Sequence, residues 1–265
     1  ILSKGGIPKT RVFTKIWLAL FDQWSWGDVP VMPAEIMLLP NWSPFNIYDF
    51  SSWARATIVP ILILLDRKPI KKIPESAQID ELYTTPRNHT SYRMVRPKRL
   101  IGWETFFCAG NAVLRHLDKL PWKLTRSHAI KQAESWIIDH QEADGSWGGI
   151  QPPWVYSLMA LHTLEYPIDH PVISKGLKGF DKFSIEDSNT LRIQACISPS
   201  WDTALAMIAL VDSGINPNHP ALSKSGLWLL RKQVMTVGDW QVNASDVPTG
   251  GWAFEFENAL YPDLD

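Results

Sequence analysis

The chain has 265 residues and a mass of 30.1 kDa; 45% of residues are hydrophobic, 20% are charged, and 26 Lys and Arg face 27 Asp and Glu. That size fits one large domain or two small ones, and the composition belongs to a packed protein, not a disordered one. A net charge of −1 supplies no basic excess for a polyanion, so nucleic acid is not expected as a partner.

The opening "ILSKGGIPKTR" begins with Ile1 and has no apolar core of a signal peptide. Phe13, Ile16, Trp17 and Leu20 fall at i, i+3, i+4 and i+7, which predicts a helix. The longest apolar run, Ile58 to Leu65, contains Pro60 and is too short to span a bilayer, so any membrane contact is expected to be one-sided. The proline-rich stretch 69–97 reads as a long surface connection. Ala129, Ala133, Trp136 and Ile137 predict a second amphipathic helix, and "PPWVYSLMALHTLEY" predicts a third with prolines at its start. "DTALAMIALVDSG" predicts an apolar helix over 202–213 that stops at Gly214. Strand-like alternation is scarce, so the fold class is all-α.

Two segments share one plan. "ESWIIDHQEADGSWGG" (134–149) and "GLWLLRKQVMTVGDWQV" (226–242) each run Trp, aliphatic, three residues, Gln, a short spacer and Gly-x-Trp. A helix ending near a Gln, a tight turn and a Trp returning onto the helix make a capping unit, and its repetition suggests a solenoid or closed α-barrel. On this plan Trp147 and Trp240 are structural wedges. The chain holds 14 Trp against 6 Tyr, so other indoles are available to line a pocket. Cys108 and Cys196 fit no metal spacing and read as free thiols of a reducing compartment. The seven histidines never pair at i, i+4 beside a carboxylate, so no metal site is expected. Asn41, Asn88 and Asn243 begin N-x-[ST] matches that carry no weight without a secretion signal.

These repeats resemble the QW motifs of triterpene cyclases. With "LPNWSPFNIYDFSSWARAT" (39–57), "DGSWGGIQPPW" (144–154), "ISPSWDTALA" (197–206) and "GGWAFEFENALYPDLD" (250–265) in order, the chain resembles the squalene–hopene cyclases. The resemblance implies two α/α barrels, with residues 1–196 forming most of an inserted barrel and 197–265 opening the catalytic one. It implies one-sided attachment to the cytoplasmic face of a bacterial inner membrane through a helix near 103–117, whose Trp103, Phe106, Phe107, Val113, Leu114 and Leu117 suit such a face. An ordinary buried helix face fits the same residues. A homodimer is compatible with the resemblance.

Cyclising squalene begins by protonating an isolated double bond, a very weak base, so the acid must be kept protonated and aimed. Neighbouring carboxylates do this by raising one another's pKa and titrating together. The family's Asp-x-Asp-Asp motif maps Asp263 onto its first aspartate and Asp265 onto the proton donor. The third aspartate would be residue 266, and the family's histidine partner lies further downstream. The resulting cation needs stabilisation without a nucleophile, which aromatic faces supply. Family correspondence puts Trp53, Trp201, Phe254 and Phe13 in the lining, with Gln151 and Arg11 around the water where the last cation is resolved. Protonation needs no cofactor, and none is expected. Cyclases of oxidosqualene carry Asp-Cys-Thr where this chain has Asp263-Leu264-Asp265, so squalene is the expected substrate and a hopene-type triterpene the product. Glu255 and Glu257 alternate with Phe254 and Phe256; either one tunes the acids or both face away.

Starting without Met and stopping inside the acid motif, the chain is expected to be a piece of a longer cyclase and inactive alone. Two other classes use similar parts. A sugar-binding α-barrel also combines Trp with paired carboxylates, but it surrounds its rings with Asn, Gln, Arg and His, whereas these neighbours are Phe, Ala, Leu and Pro. A partner-binding helical scaffold does not call for acids at the end of an aromatic segment.

Overall fold

A computed structural model describes residues 1–90, 100–118, 125–256 and 258–263, with residues 262 and 263 as backbone alone. Two compact units interleave along the chain: Ile1–Ala34 with Leu64–Ser127, and Glu35–Ile63 with His128–Asp265.

In the first unit, helix α1 (Val12–Leu20) buries Ile16, Ala19 and Leu20. Phe13 and Trp17, from the same predicted stripe, are exposed. Residues 69–90 are less loose than the sequence suggests. Tyr83 is buried and donates its hydroxyl to the Gln23 carbonyl, while Arg87 donates to the Gln23 side chain. Three short 3₁₀ turns carry this stretch across the unit, and residues 91–97 of the expected connection lie outside the described residues. Helix α2 (Ser52–Arg67) begins in the second unit and ends in the first. Its Val59, Leu62, Ile63 and Leu64 are fully buried, so it is a core helix, apolar all round. Helix α3 (Trp103–Asp118) is tied down by Arg115, which donates to the Gly27 and Val29 carbonyls, and by Asn111, which accepts from the Val31 N–H at 2.9 Å. None of the side chains on α3 is buried; Trp103, Phe106, Phe107, Val113 and Leu117 are exposed and Leu114 is half-buried.

The second unit is built on helices α4 (Arg126–Asp139), which enters it from the first, α5 (Gln151–Thr163), α6 (Pro171–Phe180), α7 (Pro199–Asp212) and α8 (Pro220–Lys232). Ala129, Ala133, Trp136 and Ile137 form the buried face of α4, as their spacing predicts. Trp154 on α5 is fully buried, stacks on Phe180 with ring centroids 4.4 Å apart, and meets Phe183 edge-on at 4.8 Å. Helix α6 can approach this ring because position 179 is glycine: a Cβ there would stand 2.4 Å from Trp154 Cζ2. Helix α7 ends where expected, with Gly214 just beyond it at φ +97°.

The strands are short. Strands β1 (Ser184–Asp187) and β2 (Thr190–Ile193) form a hairpin, and β3 (Gln233–Val234), β4 (Gly251–Ala253) and β5 (Pro262–Asp263) form an antiparallel sheet in that order. In this sheet Trp252 lies opposite Gln233 on one side and Asp263 on the other.

Both copies of the repeat close in the same way, but not through the same tryptophans as the sequence plan. In the first copy Gln141 donates its amide to the Gly145 and Val172 carbonyls, and Trp147 donates its indole N–H to the carbonyl of Ile137, four residues before the Gln. In the second copy Gln233 donates to the Gly250 carbonyl, and the tryptophan returning to Leu229, again four residues before the Gln, is Trp252. Trp240, expected to be that wedge, sits half-buried on a 3₁₀ turn, and its indole nitrogen has no hydrogen-bond partner among the described residues. The physical reason is an excursion over 238–249 that delays the true return to β4.

Candidate active site

Within the second unit, three separate segments bring aromatic rings to one cavity of about 220 Å³. Trp53 comes from the first turn of α2, Trp201 from the first turn of α7, and Phe254 from the residue after β4. Trp201 and Phe254 meet edge to face, with centroids 5.9 Å apart and planes inclined at 69°. Ala56, Gly148 and Ile150 complete the apolar wall, and Ser52, Glu255, Asn258 and Tyr261 supply its polar atoms. The arrangement offers π faces to a cation beside a wall with few nucleophiles.

The other sequence candidates distribute differently. Gln151 opens α5 and donates its backbone N–H to Ala195 at 2.8 Å; its neighbour Ile150, not Gln151, lines the cavity. Arg11 and Phe13 belong to the first unit, Arg11 as the N-cap of α1 and Phe13 as an exposed residue on it. Asp263 is placed as backbone in β5, opposite Trp252. Asp265 lies outside the described residues, as does Glu257.

Glu255 does not face away. Its side chain is buried in the cavity wall, and one carboxylate oxygen has no hydrogen-bond partner among the described residues. It packs against Gly149, which sits at φ +59° and would carry a Cβ only 2.6 Å from that of Glu255. Beside it lies a second buried acid, Glu142. Glu142 Oε1 accepts from the Gly148 N–H and from Asn258 Nδ2 (3.1 Å), and its Oε2 accepts from Ser146 Oγ at 3.0 Å. Burial raises both carboxyls above 4.5, the usual glutamate value, and the charge of Glu255 pushes Glu142 further up.

Tyr261, which ends the aromatic run before the acids, is held from its far side. Its hydroxyl donates to Asp239 Oδ2 at 3.0 Å, the same oxygen that Arg55 (3.1 Å) and His140 (3.0 Å) approach. His140 stacks on Trp136 at 3.9 Å, and the Arg55 guanidinium lies over the rings of Tyr48 and Tyr261. Burial alone would favour a neutral Asp239, but the hydrogen bond and charge of His140 and the charge of Arg55 outweigh it and hold the carboxyl below its usual 3.8. Burial and the Asp239 charge push the Tyr261 phenol well above its usual range, so it stays a donor.

Sequence reasoning missed Glu142, Asn258, Asp239, Arg55 and His140. Only Glu142 left a local signal, as the acid directly after the repeat's Gln.

The comparisons with known proteins agree along the whole chain. The model of the squalene-hopene cyclase N-terminal domain matches residues 1–189, and that of the squalene-hopene cyclase C-terminal domain matches 197–265. The chain is 43% identical over its full length to a squalene–hopene cyclase of Alicyclobacillus acidocaldarius, of which it covers 41%. It is 40% identical to a dammaradiene synthase of Dryopteris crassirhizoma, covering 38% of that protein, and 38% identical to a squalene–hopene cyclase of Bradyrhizobium diazoefficiens, covering 40%. The chain therefore spans about two fifths of the length of these relatives.

Proposed function

The chain belongs to the squalene–hopene cyclase family, and from that membership we propose that it carries the launching end of a cyclase that converts squalene to hopene-type pentacyclic triterpenes. The observation that carries the reading is the cavity in which Trp53, Trp201 and Phe254 converge beside Tyr261, two residues before Asp263. Asp265 delivers a proton to one carbon of a terminal double bond, leaving a tertiary cation on the other. The neighbouring double bonds close on that cation in turn, each ring closure moving the charge along the chain. Loss of a proton to the water near the terminal cation makes the reaction an isomerisation, while capture of water with release of its proton gives an alcohol; in either case solvent reprotonates Asp265. No atom is oxidised or reduced.

The rings act on the moving charge. Each π face in a dry site contributes about 0.5–2 kcal/mol to a cation placed over it, and exclusion of water strengthens the interaction. Asp263 is the donor's companion aspartate in the family's Asp-x-Asp-Asp motif. Gln151 holds the water near the terminal cation, a role that rests on the family correspondence. At about 220 Å³ the cavity lies below the usual range for ligand pockets, about 300–1,000 Å³, so it receives one part of the substrate. On this reading residues 1–196 are most of the inserted barrel and 197–265 the opening of the catalytic one.

Substrate enters from a membrane that the protein touches on one side. In support, α3 presents exposed Trp103, Phe106 and Phe107, whose rings pack together with centroids 5.5–6.1 Å apart, while no described helix is long and apolar enough to cross a bilayer. Placement on the cytoplasmic side of a bacterial inner membrane goes with this reading. The test is incubation of the full-length protein bearing these residues with squalene, followed by gas chromatography. Pentacyclic product from the parent and none from Asp265→Asn supports the reading; equal product from both overturns it.

A further inference from the structure

The hydrogen bonds around Glu142 reach the acid-bearing strand. Glu142 is buried at the turn of the first repeat, and Asn258, also buried, is 116 residues further along the chain. Asn258 Nδ2 donates to Glu142 Oε1, while Asn258 Oδ1 accepts the backbone N–H groups of Leu260 (3.0 Å) and Tyr261 (3.2 Å). Tyr261 is followed directly by β5, which carries Asp263. Two side chains, Glu142 and Asn258, therefore link the glycine turn at 148–149 to the backbone that presents the acids.

We infer that Glu142 is a positioning residue for the acid-bearing strand, acting through Asn258 and not by touching substrate; this rests on the cyclase reading above. The residue type fits the task. Three donors converge on Glu142, from Gly148, Asn258 and Ser146, and a carboxyl group has lone pairs on both oxygens to receive them. A hydrocarbon in its place strands the Gly148 and Asn258 donors in a buried site, where an unmade hydrogen bond is costly. Asn258 is then free to turn, and Leu260 and Tyr261 lose the acceptor that fixes them. Glutamine keeps Oε1 for Gly148 and Asn258, and the Ser146 hydroxyl can reverse to accept from its amide. A hydrocarbon should therefore fail where glutamine succeeds.

The experiment compares kcat and KM for squalene in the full-length protein, with the folded fraction of each variant measured by circular dichroism. Glu142→Leu is expected to lower kcat about tenfold or more with KM within about twofold, because the tie is lost while Trp53, Trp201 and Phe254 are untouched. Glu142→Gln is expected to stay within about threefold of the parent, since the acceptor remains. If Glu142→Leu does not fold, Asn258→Ala carries the test through kcat alone, because Asn258 also lines the cavity and its KM can move for that reason. Full kcat per folded molecule in Glu142→Leu or, failing that, in Asn258→Ala overturns the inference, as does a Glu142→Gln variant as impaired as Glu142→Leu. Asp265→Asn run alongside separates the two levels: if it keeps its activity the cyclase reading fails, whatever Glu142 does.

Discussion

Asp239 takes three donors on a single oxygen, from Arg55, His140 and Tyr261. Replacing it by Asn leaves the largely buried Arg55 without its counter-charge, so Asp239→Asn is expected to lose about 3 kcal/mol at pH 7 in chemical unfolding. Because the folded carboxyl titrates below 3.8, this contribution is complete above that value and disappears as pH falls through the lower, folded pKa. The parent and variant should therefore converge in acid. The Glu142–Glu255 pair behaves oppositely. Its carboxyls are raised above 4.5 by burial, so the folded state holds protons that the unfolded chain has released, and stability declines as pH climbs above that value. Glu142→Gln removes one titrating partner and should flatten this decline, read as melting temperature between pH 4.5 and 8. A decline that is unchanged in the variant would remove the pair from the account.

At the scale of elements, the repeat was legible because its chemistry is local. A glutamine amide and an indole N–H satisfy carbonyls at a helix end, and a sequence can record both parts. The second copy misled because Gly238-Asp239-Trp240 imitates the expected return, whereas the indole that reaches Leu229 arrives nineteen residues after Gln233. Trp147→Phe should therefore cost about 2–4 kcal/mol, for the lost hydrogen bond and the smaller ring in a filled site. Trp240→Phe, whose indole N–H has no partner among the described residues, should cost within about 1 kcal/mol. Similar losses at both positions would contradict this assignment. Helix α3 was legible as an apolar face but not in its exposure, since periodicity alone does not say what covers a face. Replacing Trp103, Phe106 and Phe107 together by Ser should abolish co-sedimentation with phospholipid vesicles while leaving the circular dichroism of the protein unchanged. Undiminished sedimentation would exclude α3 as the membrane contact.

For the whole molecule, the wall of the cavity is assembled from positions 52, 53, 56, 148, 150, 201, 254, 255, 258 and 261. No local pattern joins these segments, so only the resemblance to a family brought Trp53, Trp201 and Phe254 together beforehand. It gave nothing for Glu142 and Asn258, whose contact spans 116 positions and belongs to the support of the site. The all-α class was readable from helical spacing, while the short strands that register Asp263 against Trp252 are too brief to leave an alternating pattern.

In the proposed reaction an enzyme acid, in exchange with solvent, protonates carbon in the first step. The most direct measurement is to run the full-length protein on squalene in D₂O and record the mass of the hydrocarbon product. Launch by Asp265 followed by loss of a substrate proton predicts one deuterium per product molecule, carried on the ring carbon that was the CH of the terminal double bond. A cyclised product without deuterium would contradict it, because the cation would then have been made by some other means.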